Sequence, residues 1–312
     1  MSPPRRILCA TDLSACADRA LDQALAWARE TGAELQVLHV IVSPGERGGS
    51  AEPAIGMLEA GLALERLLER HAAGGEAIRA VDRGPAAAPV IVDRARKAKV
   101  DLIVVGTHGR RGFRSLLLGS VAEEVVRTAP CPVLAVPPRA VSGAAALPRL
   151  ALVPLDFGPR APAAVRYAKE LVPAGNGRLV LLHVIEEAVV PDFYYPLGSS
   201  LFLHEPDARC RSAAALESLY WEAGGPDVPF EVQVVDGRAA ADIARIADEI
   251  AADVIVMPTH GFATPDRLTL GSTTDKVLRS APCPVLVHCT PRAGEARPLD
   301  RGATSRRATP VG

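Results

Sequence analysis

The chain has 312 residues, 48% hydrophobic and 23% charged, which is typical of a globular protein with about two domains. Its 35 basic and 36 acidic residues give a net charge of −1, which excludes a broad electrostatic surface for nucleic acid or anionic membrane. The sequence has no secretory leader, no apolar run of about 20 residues and no Cys-x-x-Cys pair, so we expect a cytoplasmic protein.

Short apolar runs alternate with amphipathic segments along the first half of the chain. Residues 6–11 are typical of a buried strand, and Ser14 is a candidate N-cap for a helix over residues 17–30. The same reading predicts further strands at 34–42, 76–81, 101–106 and 132–137, and further helices at 57–72, 86–98 and 119–128. Continuous apolar strands separated by helices predict a doubly wound α/β fold, a parallel sheet covered on both faces.

An internal repeat divides the chain. ILCATD at 7–12 corresponds to ALVPLD at 151–156, and DLIVVGTHG at 101–109 corresponds to DVIVMPTHG at 253–261. The motif RTAPCPVLAV at the end of the first half recurs as RSAPCPVLVH near the end of the second. We therefore predict two tandem copies of one domain and a disordered tail. The expected boundaries are 1–140, 148–291 and, for the tail, 292–312.

The second copy repeats the alternation of the first. Its predicted strands lie at 149–154, 178–185, 229–235, 253–257 and 284–288, and its predicted helices at 160–172, 208–222, 239–250 and 271–280. An aromatic-rich insert at 191–205 falls outside the repeat. Two interpretations of this insert stay open, a loop that packs on its own domain and a lid or partner surface.

The ends of the first and fourth strands carry the candidate chemistry, because ligands of doubly wound sheets bind beyond the carboxyl ends of the strands. The first strand ends at Asp12, and the fourth runs into Gly106 and Gly109. Nine residues later, Gly119-Ser120 opens a helix whose N-terminus favours anions. The intervening arginines suit phosphate oxygens. They are Arg110, Arg111 and Arg114. The set predicts an anionic, phosphate-bearing ligand.

This order of motifs resembles that of the universal stress protein family. The signature G-x-x-G-x9-G-S is complete from Gly106 to Ser120, and Asp12, the LHV of 38–40 and the APCP of 129–132 surround it in the family's order. The resemblance covers about residues 5–137 and 149–290. It implies five parallel strands per domain in the order 3-2-1-4-5, with helices on both faces.

The resemblance also implies an ATP site in the first copy, with Mg²⁺ or Mn²⁺ held through the phosphates and no protein metal ligands. Asp12 and Val40, with Ala10 beside them, would contact adenine and ribose. The glycines of the loop would line ribose and phosphates, and the start of the following helix would hold the phosphates. The implied residues are Ala10, Asp12, Val40, Gly106, Gly109, Arg110, Gly119, Ser120 and Val121.

The second copy departs from this pattern, because Pro258 replaces the first glycine and so removes a backbone donor. The matching positions are Asp156, Val184, Gly261, Gly271, Ser272 and Thr273. Weaker nucleotide binding, a different ligand and a pseudo-domain without ligand all stay open for this copy.

Alternative roles stay open for several residues. Asp12 could brace a turn as well as contact a ligand, and the three arginines could form a solvated loop. His39 and His183 are expected to be structural. For His108 and His260 a loop hydrogen bond is favoured over proton transfer. Cys131 and Cys283 are expected to be small buried side chains.

The favoured function is a nucleotide-dependent regulatory module of a stress response. A slow ATP-hydrolysing enzyme and a scaffold with a vestigial site are the alternatives. No catalytic residue is assigned, since the sequence contains no P-loop, no G-x-S-x-G and no H-E-x-x-H. We expect the fifth strands, 132–136 and 284–288, to pair in an intramolecular pseudo-dimer that could dimerise again. No protein partner is identified by the sequence.

Overall fold

The computed structural model describes residues 3–43, 52–71, 75–109, 118–140, 147–173, 175–186, 207–258 and 270–288. The strands in this part of the chain are β1 (Arg6–Thr11), β2 (Glu34–Val42), β3 (Ala77–Gly84), β4 (Leu102–Gly106), β5 (Val133–Val136), β6 (Leu150–Pro154), β7 (Arg178–Glu186), β8 (Phe230–Gly237), β9 (Val254–Pro258) and β10 (Val285–His288). The helices are α1 (Ala15–Thr31), α2 (Glu52–Arg70), α3 (Ala87–Lys97), α4 (Ser120–Thr128), α5 (Ala161–Leu171), α6 (Ala208–Glu222), α7 (Ala239–Glu249) and α8 (Ser272–Ser280). The aromatic insert at 191–205 and the tail at 292–312 lie outside the described residues.

Most elements begin and end within a residue or two of the prediction, but two do not. Helix α2 begins at Glu52 rather than at residue 57. Pro53 falls in its first turn, where the missing backbone N–H breaks no hydrogen bond within the helix. Strand β3 continues to Gly84, since it pairs with β2 as far as Val42. The hydrophobic pattern of the sequence does not reveal this extension. Most side chains of β3 are half-buried, so the strand has no continuous apolar run that would mark its end.

The predicted cap of α1 is confirmed. The Ser14 hydroxyl accepts a hydrogen bond from the backbone N–H of Ala17 at 3.3 Å, which satisfies one of the donors that a helix N-terminus leaves open. The helix ends at Gly32, which has a φ of 66°, a left-handed conformation that glycine adopts without strain.

The ten strands form one sheet in the order β3-β2-β1-β4-β5-β10-β9-β6-β7-β8. Within each half all neighbours are parallel, and the strand order is 3-2-1-4-5 when counted from the start of that half. The predicted fold class, α/β with a doubly wound parallel sheet in each half, is confirmed.

Helices cover both faces of the sheet and bury two apolar layers. One layer packs α1, α2, α5 and α6 against side chains such as Ile7 and Val104. The other packs α3, α4, α7 and α8 against the alternate side chains of the same strands, such as Leu8 and Ile103. Because successive strand residues point to opposite faces, each apolar run supplies both layers.

The two halves meet at β5 and β10, which pair antiparallel with Leu134 opposite Leu286. Both leucines are fully buried, so the seam continues the core of each half. No helix among the described residues combines the length and the apolar character needed to cross a bilayer.

His288, at the end of β10, lies where the repeat places Val136 in the first half. Its ring centroid is 5.1 Å from that of Tyr167, the side chain is 9% exposed, and its Nδ1 is buried without a hydrogen-bond partner. Burial lowers the pKa of His288 to about 4, against a smaller opposing effect of the Glu170 carboxylate. The imidazole is therefore neutral in the folded protein at neutral pH.

Replacing Leu286 by alanine should destabilise the seam by about 2–5 kcal/mol, because a fully buried leucine leaves a cavity. The free energy of unfolding in urea is the measurement. Leu58→Ala is the matched control, since Leu58 is 66% exposed and its loss should cost no more than about 0.5 kcal/mol. Equal effects of the two substitutions would contradict a buried seam.

The buried histidine should also make stability depend on pH. The folded pKa of His288 lies below the unfolded value of 6.5, so the unfolded chain binds the proton first as the pH falls. The free energy of unfolding should then decrease between about pH 6.5 and pH 4, by up to about 3 kcal/mol from this group. His288→Val should flatten that part of the profile in urea titrations, and parallel profiles for the two proteins would refute the assignment.

Candidate functional site

The carboxyl ends of β1, β2 and β4 and the starts of α3 and α4 enclose a pocket of about 660 Å³. That volume is in the range of small-molecule sites. The structure brings together in its lining every predicted residue of the first copy that it describes. These are Ala10, Asp12, Val40, Gly106, Gly109, Gly119, Ser120 and Val121. Arg110, Arg111 and Arg114 lie outside the described residues.

Asp12 is held in a tight turn between β1 and α1. Its Oδ1 accepts a hydrogen bond from the backbone N–H of Ser14 at 3.0 Å, and the Thr11 hydroxyl accepts one from the N–H of Leu13 at 3.0 Å. Leu13 has a φ of 63°, and left-handed residues other than glycine are concentrated at functional sites. Asp12 thus braces the turn, as one of the two interpretations expected, and also lines the pocket.

The glycines of the signature are required by the packing of the chain on itself as well as by any ligand. A Cβ at Gly109 would lie 3.0 Å from Oδ2 of Asp12, and one at Gly106 would lie 3.1–3.2 Å from atoms of Cys16. At Gly119 the clash would be with the carbonyl oxygen of Thr107, at 3.1 Å. Each glycine therefore lets two segments of the pocket wall approach closely.

Helix α4 points its N-terminus at the pocket. Gly119 is the N-cap and has no side chain to satisfy the first turn, while its own N–H donates to the carbonyl of Thr107 at 2.8 Å. Ser120 and Val121 follow, and both are exposed. The backbone N–H groups of a first turn have no acceptor within the helix, so this end suits an anion.

The histidines act within the protein in the way the sequence suggested. His39 Nδ1 lies 2.8 Å from the carbonyl oxygen of Thr11, and His183 Nδ1 lies at the same distance from that of Leu155. Each ties the second strand of its half to the first. His108 lines the pocket, and its Nδ1 lies 2.9 Å from the Thr107 hydroxyl. His260 lies outside the described residues.

Four of the described cysteines are buried, namely Cys9, Cys16, Cys131 and Cys283, whereas Cys210 is exposed. Burial raises the pKa of Cys283 to about 12, and Cys131 is buried at the matching position. Burial also raises the pKa of Cys16, whose thiol donates to the carbonyl of Val136 at 3.7 Å. None of these environments favours a reactive thiolate.

One wall of the pocket was not predicted from the sequence. The loop before α3 and the first two turns of that helix contribute it, together with apolar side chains of β2. These residues are Leu38, Val42, Pro85, Ala86, Ala87 and Ile91. The doubly wound order could have indicated this wall, because α3 begins at the same carboxyl edge of the sheet as α4.

A second pocket of about 480 Å³ occupies the corresponding place in the second half. Asp156, Val184, Gly271, Ser272 and Thr273 line it with Pro258, whereas Gly261 lies outside the described residues. The turn after β6 repeats that after β1. Oδ1 of Asp156 accepts from the N–H of Gly158 at 3.1 Å, and Phe157 has a φ of 58°.

The universal stress protein family model matches the chain twice, over residues 4–137 and 149–288. The chain belongs to the universal stress protein family. The two matches make it a tandem member, with one family domain in each half of the sheet.

Curated relatives and a solved structure agree with this assignment. A universal stress protein of Thermus aquaticus is 39% identical over 44% of this chain and 95% of its own length. One from Mycobacterium bovis is 28% identical over 64% of each chain. The crystal structure of a universal stress protein from Archaeoglobus fulgidus covers 93% of this chain and 98% of its own, with a TM-score of 0.65 and 24% identity. At that identity the likeness supports the fold.

Gly106→Ala should lower the melting temperature, because its Cβ would lie 3.1–3.2 Å from the Sγ and backbone atoms of Cys16. Gly61→Ala is the matched control. The space around Gly61 in helix α2 is open, so this change should stabilise by about 0.5–1 kcal/mol. Thermal unfolding followed by circular dichroism measures both. If Gly106→Ala melts at or above the wild-type temperature, the close approach to Cys16 is wrong.

Proposed function

We propose that the chain is an ATP-binding regulatory module whose principal site is the pocket of the first half. The observation that carries the proposal is the convergence of Asp12, Val40 and the α4 N-terminus on one cavity of about 660 Å³. The apolar wall of β2 and α3 suits a flat base, and the N-terminus of α4 suits phosphates. Occupancy of the site would then change how the protein contacts its partners.

A divalent cation, Mg²⁺ or Mn²⁺, fits this site as a companion of the phosphates. Asp12 is the one carboxylate in the described lining, and the N–H of Ser14 already occupies its Oδ1. The described residues contain no group of three side chains suited to a metal. The ion would neutralise phosphate charge, while Ser120 and the first turn of α4 would orient the phosphate oxygens.

We also propose domain boundaries at residues 1–140 and 148–291 and a pseudo-dimer of the two domains. The pairing of β5 with β10 supports the pseudo-dimer, because it covers the edge strand of each domain. It would leave β3 and β8 as the free edges. Light scattering across a range of concentrations tests whether two such chains assemble further.

Titration of ATP with Mg²⁺ into nucleotide-free protein is the direct test. We expect one strong site per chain. Gly119→Val should abolish binding at this site. A Cβ there would already lie 3.1 Å from the Thr107 carbonyl oxygen, so the larger valine side chain would force the start of α4 away from the loop beside it. Asp12→Asn keeps an acceptor for the turn but loses the charge, and it should weaken binding about tenfold.

Gly61→Ala, on helix α2, is the control and should bind ATP as the wild type does. Circular dichroism establishes that each variant is folded. Absence of ATP binding to the wild-type chain at millimolar concentration would refute the proposal. Binding that survives in both Gly119→Val and Asp12→Asn would place the site elsewhere.

A further inference from the structure

The two pockets share the end formed by their first two strands and also the N-terminus of a helix, α4 in the first and α8 in the second. They differ at the wall beside α7 and at the end of the fourth strand. Asp156, Leu182 and Val184 line the second pocket at the positions of Asp12, Leu38 and Val40 in the first. The aspartate makes the same turn in both halves. If this end holds a base and ribose in the first pocket, as proposed above, the second pocket retains the means to do so.

The wall beside α7 carries a charge that the first pocket lacks. Glu186 lines the second pocket where Val42 lines the first, and each is the residue of its strand that pairs with the glycine ending the edge strand. Oε1 of Glu186 accepts a hydrogen bond from the N–H of Ala239, the first residue of α7, at 2.9 Å. The positive end of the α7 dipole attracts a carboxylate, so this contact holds the Glu186 side chain beside the start of that helix.

This hydrogen bond also offsets part of the positive charge that the N-terminus of α7 would otherwise present to the second pocket. In the first half the N-cap of α3 is Ala86, whose side chain accepts no hydrogen bond from the first turn of the helix. In the second half Glu186 caps α7, and Asp242 accepts a further hydrogen bond from the N–H of Arg238 at 2.8 Å. The dipole of α7 is therefore compensated by carboxylates of the chain itself, and it has less to offer an anionic ligand.

The fourth strand of the second half adds a further difference. Pro258 ends β9 in the second pocket where Gly106 ends β4 in the first, so this position has no backbone N–H. The described lining of the second pocket contains two carboxylates, Asp156 and Glu186, and no lysine or arginine. A polyphosphate would bring several more negative charges to within about a Debye length of them.

We propose that the second pocket binds an uncharged adenine nucleoside in preference to a nucleotide with phosphates. Such a ligand keeps the contacts of the shared end and avoids repulsion by Glu186, the carboxylate that the first pocket lacks. Its amino and hydroxyl groups are donors, and the remaining lone pairs of the Glu186 carboxylate are acceptors. The inference rests on the proposed nucleotide site of the first half and assigns a different ligand class to its counterpart.

Calorimetric titration of the full chain with Gly119→Val, which should abolish binding at the first pocket, separates the two sites. Adenosine should bind with one site per chain, and ATP with Mg²⁺ should bind at least about tenfold more weakly. Adding Glu186→Gln keeps an oxygen for the Ala239 N–H but removes the charge. It should strengthen ATP binding about fivefold and weaken adenosine binding, because acceptor lone pairs proposed for the nucleoside are lost.

Glu217→Gln, on the exposed side of α6, is the matched control and should change neither affinity. The reciprocal substitution, Val42→Glu in the otherwise wild-type chain, should weaken ATP binding at the first pocket about fivefold. It provides the test should Gly119→Val not fold. Unchanged ATP binding in Val42→Glu would overturn the role of this position.

The inference is overturned if ATP binds the Gly119→Val chain as tightly as adenosine does, or if adenosine does not bind it at all. Its failure is distinguishable from failure of the proposed function. A wild-type chain that binds one ATP, lost in Gly119→Val, with no adenosine site would refute only the inference. A wild-type chain that binds no ATP would refute the proposed function.

Discussion

The candidate site depends on the topological switch point between β1 and β4, where the chain leaves two neighbouring strands toward opposite faces of the sheet. Helix α1 leaves β1 on one face of the sheet, whereas α3 and α4 pack on the other. The two strands are neighbours, yet the chain departs from their carboxyl ends toward opposite faces. A crevice must therefore open between them. The pocket, the N-terminus of α4 and the turn at Asp12 all lie along that crevice.

Close contacts of the signature glycines with neighbouring segments of the chain keep this crevice shaped before any ligand arrives. The turn after β1 holds Asp12 against Gly109, Gly119 donates to the carbonyl of Thr107, and Gly106 packs on Cys16. The contacts of Asp12 with Gly109 and of Cys16 with Gly106 join segments that are far apart in sequence, whereas that of Gly119 with Thr107 closes the loop between β4 and α4. The signature glycines are thus explained by the assembly of the pocket wall, and the ligand-binding role proposed for them uses a shape that the protein already requires.

The repeat and the apolar runs were sufficient to predict the fold class and the cap at Ser14, whereas the strand order was implied by the resemblance to the universal stress protein family. They could do so because alternation, capping and duplication are local patterns in the chain. The wall formed by Pro85, Ala86 and Ile91 was missed, since its place in the pocket depends on packing of α3 across the sheet. The contact of Gly106 with Cys16 was missed for the same reason.

Because the chain contains two copies of one domain, residues needed for the fold can be distinguished from residues that concern only the ligand. Neither half alone would allow this comparison. Both halves retain the aspartate turn and the histidine that ties the second strand to the first, so these features serve the fold whatever ligand is bound. Val42 and Gly106 became Glu186 and Pro258, although the sheet around them is the same. A substitution that leaves the backbone unchanged and alters the charge of a cavity bears on the ligand that the cavity can hold. The two pockets thus share one architecture and differ in the charge and backbone donors of their lining.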